Sequence, residues 1–282
     1  MNVPDRTFGA ALARLASAQK TTKGAPAYSR FVNRKLGRLL AAASYVVGLT
    51  PNQVTGISAA FTFTGVALIA LVQPAAWLGV AVCLALVVGY AFDAADGQLA
   101  RLRGGGSKAG EFLDHMVDSL KISALHGAVL VSWYRFFDLD RAAWLLVPLG
   151  FTVVAAVMFF GMILKDLLAR AHRAATGAPA PAAGAPSTLR SLLVIPTDYG
   201  VLCVAFLLLG FPAVFLPVYT LIFAGNLLFL LAAAVKWFRE VAALDAPAAP
   251  AHGQAAGQTH GQAPGQAPGP QARPVPDLGP RR

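Results

Sequence analysis

The sequence predicts an all-α, polytopic membrane protein with six transmembrane helices, an amphipathic juxtamembrane helix before them, and both termini in the cytosol. Composition, the length of the apolar segments and the placement of Lys and Arg support this fold class. The 282 residues are 56% hydrophobic and 13% charged, with a mean hydropathy of +0.59, whereas a soluble domain carries about 25% charged residues. An ordinary cytosolic globular protein, and a chain that is mostly disordered or disulfide-stapled, are therefore excluded.

Six apolar segments are each close to the ~20 residues that a helix needs to cross the hydrocarbon core. They lie at residues 53–72, 75–93, 114–134, 142–164, 198–212 and 213–236. Gln73-Pro74 separates the first two segments, and Gly210-Phe211-Pro212 marks the boundary between the last two, because Gly and Pro interrupt helices. The sequence therefore predicts an even number of spans.

The basic residues predict the orientation of these spans. Residues 1–52 carry eight Lys and Arg, the 94–113 connection three, the 165–197 connection four and the segment from 236 onward five. The opposite connections hold only Arg135 and Arg141. Cytosolic loops are enriched in Lys and Arg, so both termini and the two basic connections are expected in the cytosol.

The net charge of +10 belongs to this loop pattern. The basic residues punctuate apolar segments and do not form one patch, so no nucleic-acid partner is expected. Membrane lipids are the expected environment. We expect an integral, multi-pass membrane protein, and a bacterial plasma membrane is the expected location.

Four regions follow from the pattern along the chain. Residues 1–26 are predicted to be a basic flexible arm, and residues 27–48 an interfacial helix because apolar and basic side chains segregate at helical spacing. A helix packed on the protein's own cytosolic face is the alternative for 27–48. Residues 49–240 form the predicted six-helix domain. Residues 241–282, rich in Ala, Gly, Pro and Gln, are predicted to be a disordered tail.

Four aspartates fall within 26 residues at the predicted cytosolic ends of spans two and three: Asp93, Asp96, Asp114 and Asp118. Residues three or four apart share a helix face, so each pair lines one stripe. The short connection between the spans makes the two helices antiparallel neighbours. We therefore expect the two acidic stripes to meet just below the membrane surface.

Carboxylates at a membrane edge are costly unless they are paired or bound to a cation. Oxygen ligands of this kind suit Mg²⁺, Mn²⁺ or Ca²⁺. Small residues nearby (Gly97, Ala100 and Gly110) leave room for close helix packing or for a flat ligand, and Arg101 is suited to hold a phosphate. Ordinary helix-end charge explains Asp114, but it does not explain acids at the end of span two, where the helix dipole disfavours them.

The spacing Asp93-x2-Asp96-Gly97-x2-Ala100-Arg101-x8-Gly110-x3-Asp114-x3-Asp118 resembles the signature of the CDP-alcohol phosphatidyltransferase family. All eight fixed positions of that signature are present. The likeness extends through the six spans and includes the stretch Thr50-Pro51-Asn52-Gln53-Val54-Thr55. It covers neither residues 1–26 nor the tail.

The resemblance implies an enzyme of phospholipid biosynthesis. Such an enzyme uses Mg²⁺ or Mn²⁺ to transfer a phosphatidyl group from CDP-diacylglycerol, or another CDP-linked donor, to the hydroxyl of a small polar alcohol, and releases CMP. It also implies a homodimer with an active site facing the cytosol. By position, Asp93, Asp96 and Asp114 become metal ligands, and Asp118 becomes a metal ligand or the general base. The residues then expected at the nucleotide and diphosphate are Asn52, Thr55, Gly97, Ala100, Arg101 and Gly110.

The acceptor is less well defined by the sequence. Lys165, Arg170 and Arg190 flank spans four and five, and an acceptor that carries a phosphate needs such cations. The alternative is that these three residues are ordinary positive-inside loop charge.

Lys121, one helical turn beyond Asp118, is expected to pair with it, and Asp198 is expected either to order the site or to cap the fifth helix.

Two other functions are compatible with parts of the pattern. Transfer from CDP-choline or CDP-ethanolamine to diacylglycerol uses the same chemistry. A divalent-cation transporter also needs carboxylates in the membrane, but it places them near the midplane on several helices. The four aspartates here lie at one edge of two adjacent spans, which favours the transferase.

Overall fold

The computed structural model describes residues 7–17, 26–179 and 195–245, and within them the chain is all-helical. The α-helices are α1 (Phe8–Ser17), α2 (Arg34–Val47), α3 (Pro51–Leu71), α4 (Ala76–Leu102), α5 (Lys108–Phe136), α6 (Leu146–Thr176), α7 (Tyr199–Ala205) and α8 (Pro212–Ala242). A π-helical turn at Ser29–Asn33 precedes α2, and 3-10 turns lie at Ala142–Leu145, Ile195–Thr197 and Phe206–Leu208.

Helices α3, α4 and α5 form the centre of the bundle, because α3 packs against both of the others. The start of α3 is fixed by Thr50, whose hydroxyl accepts from the Gln53 backbone N–H while Gln53 Oε1 accepts from Thr50 N, with Pro51 at the first helical position. Gly89 of α4 faces α3 so closely that an added Cβ would clash with the Thr62 hydroxyl. A small residue therefore allows the close packing of α3 and α4.

Both helices that carry the aspartates extend beyond the predicted span ends. Helix α4 continues to Leu102 and α5 begins at Lys108, so only residues 103–107 connect them. Asp93 and Asp96 consequently lie inside α4, not at its end as the span boundaries predicted. This short connection keeps the end of α4 near the start of α5, as predicted, but the two helices pack mainly on α3 and not on each other.

Four helical stretches of the described residues are long and apolar enough to cross a membrane: Pro51–Leu71, Ala76–Leu102, Ala142–Thr176 and Pro212–Ala242. Helix α5 has 29 residues, a sufficient length, but charged residues fill its first half. Helix α7 and its 3-10 turn cover only Tyr199–Leu208, about 15 Å at ~1.5 Å per residue, or half of the ~30 Å hydrocarbon core. The helix in the fifth apolar segment is thus shorter than the predicted span 198–212. The presence of six spans remains a prediction.

The N-terminal region differs from the predicted flexible arm, since residues 8–17 form α1. Ala11 and Leu15 are fully buried in a small core with α2 and α4. Arg14 donates from Nη2 to the carbonyl of Leu102 at 3.0 Å, which satisfies an otherwise open carbonyl at the end of α4. The helix has only ten residues and lies in a segment that is polar and basic overall, so the sequence analysis did not predict it.

Helix α2 combines the two alternatives considered for residues 27–48. Its small residues pack on α4, where a Cβ at Gly37 would lie 2.8 Å from Ala94 Cβ. Its larger apolar side chains, among them Phe31 in the preceding turn and Leu39, are exposed. One face is therefore protein core, and the other retains the apolar character of an interfacial helix.

Candidate metal and nucleotide site

Three of the four predicted aspartates converge where α4 faces α5. Asp93, Asp114 and Asp118 each offer a carboxylate oxygen within 4.8 Å of the others. The i, i+4 spacing of Asp114 and Asp118 brings both to one face of α5, and Asp93 approaches from α4. Carboxylate oxygens are ligands that hard divalent cations prefer, so these three side chains form a donor set for such an ion.

Lys121 lies at the base of this aspartate cluster. Its Nζ is 3.1 Å from Asp118 Oδ1, as expected from their spacing on α5, and 2.5 Å from Asp93 Oδ1 on α4. It also donates to Ser58 Oγ of α3 at 3.0 Å. The pairing with Asp118 was predicted, whereas the links to Asp93 and Ser58 depend on how three helices pack.

Asp96 has different partners. It is 6% exposed, and its Oδ2 accepts a hydrogen bond from the Thr55 hydroxyl at 2.6 Å, while Oδ1 accepts from the Gly97 backbone N–H. Among the described residues, Asp96 is not in the group of carboxylates within 4.8 Å of one another. Asp96 is directed toward α3, where the Thr55 hydroxyl holds it.

A cavity of about 230 Å³ lies beside the aspartates. Five of the predicted site residues line it: Asp93, Asp96, Gly97, Arg101 and Asp114. The lining also includes Ser29 and Asn33 of the turn before α2 and Arg34 at the start of α2, which the sequence analysis did not assign to the site. The π-helical conformation of Ser29–Asn33 is a type of distortion often found at functional sites, but it has no simple sequence signature.

The other predicted nucleotide-site residues are close by but do not line this cavity. A Cβ at Gly110 would lie 3.1 Å from Asn52 Oδ1, so this glycine lets the starts of α3 and α5 approach each other. Ala100 accepts a backbone hydrogen bond from Gly105 at the end of α4. Thr55, as described, contacts Asp96. These four positions therefore shape the helix ends around the cavity.

The predicted acceptor cations are engaged with acids where the structure describes them. Lys165 Nζ is 3.4 Å from Glu240 Oε2, and Arg170 Nη1 is 2.6 Å from Glu111 Oε1. Arg190 lies outside the described residues. An acceptor site formed by these three cations stays a prediction.

Two further polar residues have structural partners. Asp198 caps α7 through a hydrogen bond from Gly200 N at 3.1 Å, and it accepts from Tyr28 N at 2.6 Å, which ties the N-terminal segment to this helix. His126 Nδ1 lies 2.6 Å from the Tyr219 hydroxyl. His126 also borders a second, largely apolar cavity of about 360 Å³ that is lined by α5, α6, α7 and α8.

Comparison with known proteins agrees with the aspartate motif. The family model for CDP-alcohol phosphatidyltransferase matches residues 48–238, which include α3 to α7 and nearly all of α8. This match confirms the resemblance predicted from the eight-position spacing.

Individual relatives match over only part of the chain or at low sequence identity. The phosphatidylinositol phosphate synthase of Corynebacterium glutamicum is 40% identical over 92 residues, which are 33% of this chain, and the chain spans only 39% of that relative. A crystal structure of the Mycobacterium tuberculosis phosphatidylinositol phosphate synthase with CDP-DAG bound is 22% identical, with a TM-score of 0.48 over 77% of this chain and 98% of that one. A second structure of the M. tuberculosis enzyme, with manganese and citrate, is 24% identical, with a TM-score of 0.45 over 76% and 95%.

Proposed function

Because the chain belongs to the CDP-alcohol phosphatidyltransferase family, we propose that it transfers a phosphatidyl group from CDP-diacylglycerol to the hydroxyl of a small polar alcohol and releases CMP. The observation that carries this proposal is the convergence of Asp93, Asp114 and Asp118 beside a polar cavity. A cavity next to three carboxylates offers room for a diphosphate and a place for the cation that neutralises it.

The residues proposed to hold Mg²⁺ or Mn²⁺ are Asp93, Asp114 and Asp118, with Asp96 beside them. When bound, such an ion supplies Lewis-acid stabilisation of charge on the diphosphate oxygens. Asp96 is proposed to reach the ion from its position against Thr55, since both Asp93 and Asp96 line the same cavity.

Asp118 is proposed to be the general base. The acceptor hydroxyl must lose a proton as its oxygen attacks phosphorus, and a carboxylate within reach accelerates this step by about 10²–10⁴-fold. Lys121 fixes one oxygen of Asp118. The displacement is proposed to be direct, with inversion at phosphorus, because no second nucleophile is needed.

The donor is proposed to bind along the face of α4 that lines the cavity. Gly97 leaves the cavity open, since even a Cβ there would meet only Arg101 Nη1 at 3.6 Å. The Arg101 guanidinium, which lines the cavity, is suited to hold a phosphate of the donor. Asn52, Thr55, Ala100 and Gly110 are proposed to set the shape of this binding face by fixing the adjoining helix ends.

Inositol phosphate is the first acceptor to test, because the C. glutamicum relative is named a phosphatidylinositol phosphate synthase. A phosphate-bearing acceptor would engage Arg170 by displacing Glu111, an exposed partner. Lys165 and Arg190 complete the proposed acceptor cations.

The remaining features of the proposal concern membrane topology, oligomeric state and location. We propose six spans with both termini in the cytosol, a cytosolic active site, a homodimer and a bacterial plasma-membrane location. The Lys and Arg distribution supports the orientation, and the apolar faces left exposed on α6 and α8, such as Phe160 and Leu228, support contact with lipid or with a second subunit.

The test is CMP release from CDP-diacylglycerol by the purified chain with Mn²⁺ or Mg²⁺. The acceptor panel is inositol phosphate, inositol, glycerol 3-phosphate and serine, and a parallel arm supplies CDP-choline or CDP-ethanolamine with diacylglycerol. Asp118→Asn should lower the rate at least about 100-fold, whereas Asp138→Asn, an exposed aspartate in the connection after α5, should leave it unchanged. No CMP release from either donor type would refute the proposal.

A further inference from the structure

The strongest unexplained feature next to the site is a buried ammonium group. The Lys121 side chain is 7% exposed, and its Nζ contacts oxygens from three helices: Asp93 Oδ1 on α4, Asp118 Oδ1 on α5 and Ser58 Oγ on α3. A lysine ammonium has three N–H donors, so these contacts use all of them.

Ser58 is itself fixed. It is fully buried, and its hydroxyl donates to the carbonyl of Gly89 at 2.8 Å, on the same turn of α4 that leads to Asp93. The ammonium therefore cannot swing away without breaking two ion pairs and leaving polar groups unsatisfied in a buried place. It is a permanent positive charge at the base of the aspartate cluster.

We propose that Lys121 is a positioning residue that acts as a built-in cation of the metal site: it holds Asp93 and Asp118 together without a divalent ion and weakens the binding of that ion. This rests on the proposed function, because it takes Asp93, Asp114 and Asp118 to be the ligands. The ammonium offsets the repulsion among three carboxylates within 4.8 Å of one another. It would also repel an ion held by those carboxylates, since the two cations would share the same ligands.

The proposal predicts that loss of the Lys121 charge raises the affinity for Mn²⁺ and lowers the rate of CMP release. In Lys121→Met, Mn²⁺ should bind at least about tenfold more tightly, because a like charge next to the ion is gone. The rate of CMP release should fall at least about tenfold, because Asp118 loses the partner that orients it. Lys121→Arg retains the charge, so its Mn²⁺ affinity should stay within about threefold of wild type. A purely structural role for Lys121 would lower affinity and rate together.

The experiment measures Mn²⁺ binding to the full chain in detergent without substrates, by calorimetry and by electron paramagnetic resonance of free Mn²⁺. Thermal unfolding is measured in parallel with EDTA and with saturating Mn²⁺. Lys121→Met should unfold at a lower temperature than wild type in EDTA, and Mn²⁺ should reduce that difference. Lys121→Gln, which removes the charge but keeps N–H donors, is the second variant and should show the same tighter binding. The matched control is Lys236→Met, an exposed lysine 3.5 Å from Glu240 on α8.

The outcomes separate the role proposed for Lys121 from the proposed function of the chain. Unchanged or weaker Mn²⁺ binding by Lys121→Met and Lys121→Gln, with normal binding by wild type, would overturn the role of Lys121 alone. Absence of Mn²⁺ binding by the wild-type chain would overturn this inference together with the metal ligands of the proposed function.

Discussion

Replacing Thr55 with Val tests whether a hydrogen bond from α3 holds the carboxylate of Asp96 in place. The substitution exchanges a hydroxyl for a methyl of similar size, and it removes the O–H that donates to Asp96 Oδ2 at 2.6 Å. Asp96 is 6% exposed, so bulk water cannot easily replace the lost donor. The Gly97 backbone N–H is then the remaining hydrogen bond described for this carboxylate.

The size of the effect follows from this geometry. A hydrogen bond to a charged group contributes about 1.5–3 kcal/mol, and the penalty is largest when a buried partner is left unsatisfied. We therefore expect Thr55→Val to lower the free energy of unfolding by about 1.5–3 kcal/mol. If Asp96 instead turns toward solvent, the loss appears as a roughly 10- to 100-fold lower rate of CMP release, since ~1.4 kcal/mol equals a factor of ten.

The assay compares Thr55→Val with Thr64→Val on the same helix. Thr64 is exposed, and its hydroxyl donates only to the carbonyl of Ala60, so its replacement should change the free energy of unfolding by no more than about 0.5 kcal/mol. Unfolding in mixed detergent and initial rates of CMP release are measured for both variants. Equal behaviour of the two variants in both measurements would refute the role assigned to Thr55.

Three further predictions concern packing, metal and the N-terminal helix. Gly89→Ala should destabilise the chain by about 1–3 kcal/mol, because the new methyl overlaps the Thr62 hydroxyl on α3, and its melting temperature should fall measurably below wild type. Treatment with EDTA should abolish CMP release, and excess Mn²⁺ should restore it; activity that survives exhaustive chelation would contradict the metal ligands. Arg14→Ala should cost about 1 kcal/mol and expose residues 8–17 to protease, because the bond to the carbonyl of Leu102 is lost, and an unchanged digestion pattern would argue against that contact.

Much of the site follows from local helix geometry. Spacings of three and four residues place side chains on one helix face regardless of the rest of the fold, so the pairing of Asp114 with Asp118 and of Asp118 with Lys121 could be predicted. A five-residue connection keeps the end of α4 near the start of α5, and both helices pack on α3, which brings Asp93 close to the α5 aspartates. The family resemblance rests on the same spacings.

The parts that sequence reasoning missed depend on weak or non-local signals. Helix α1 has only ten residues and acquires its stability by burying Leu15 against helices far away in the chain. The fifth apolar segment has the composition of a span, but its helix changes to a 3-10 turn at Phe206 and ends by Leu208. Hydropathy records apolar character, and it does not record where a helix stops.

The sequence by itself determined that the chain is helical and rich in membrane-length apolar segments, and that four aspartates flank one short connection. Only the tertiary structure decided how those aspartates divide, with Asp93 joining the cluster on α5 and Asp96 turning to Thr55. It also decided that Lys121 reaches Ser58 and that Arg170 is paired with Glu111. The physical reason is that spacing along one helix is fixed by covalent geometry, whereas the rotation and separation of two helices depend on side-chain packing between residues far apart in the chain.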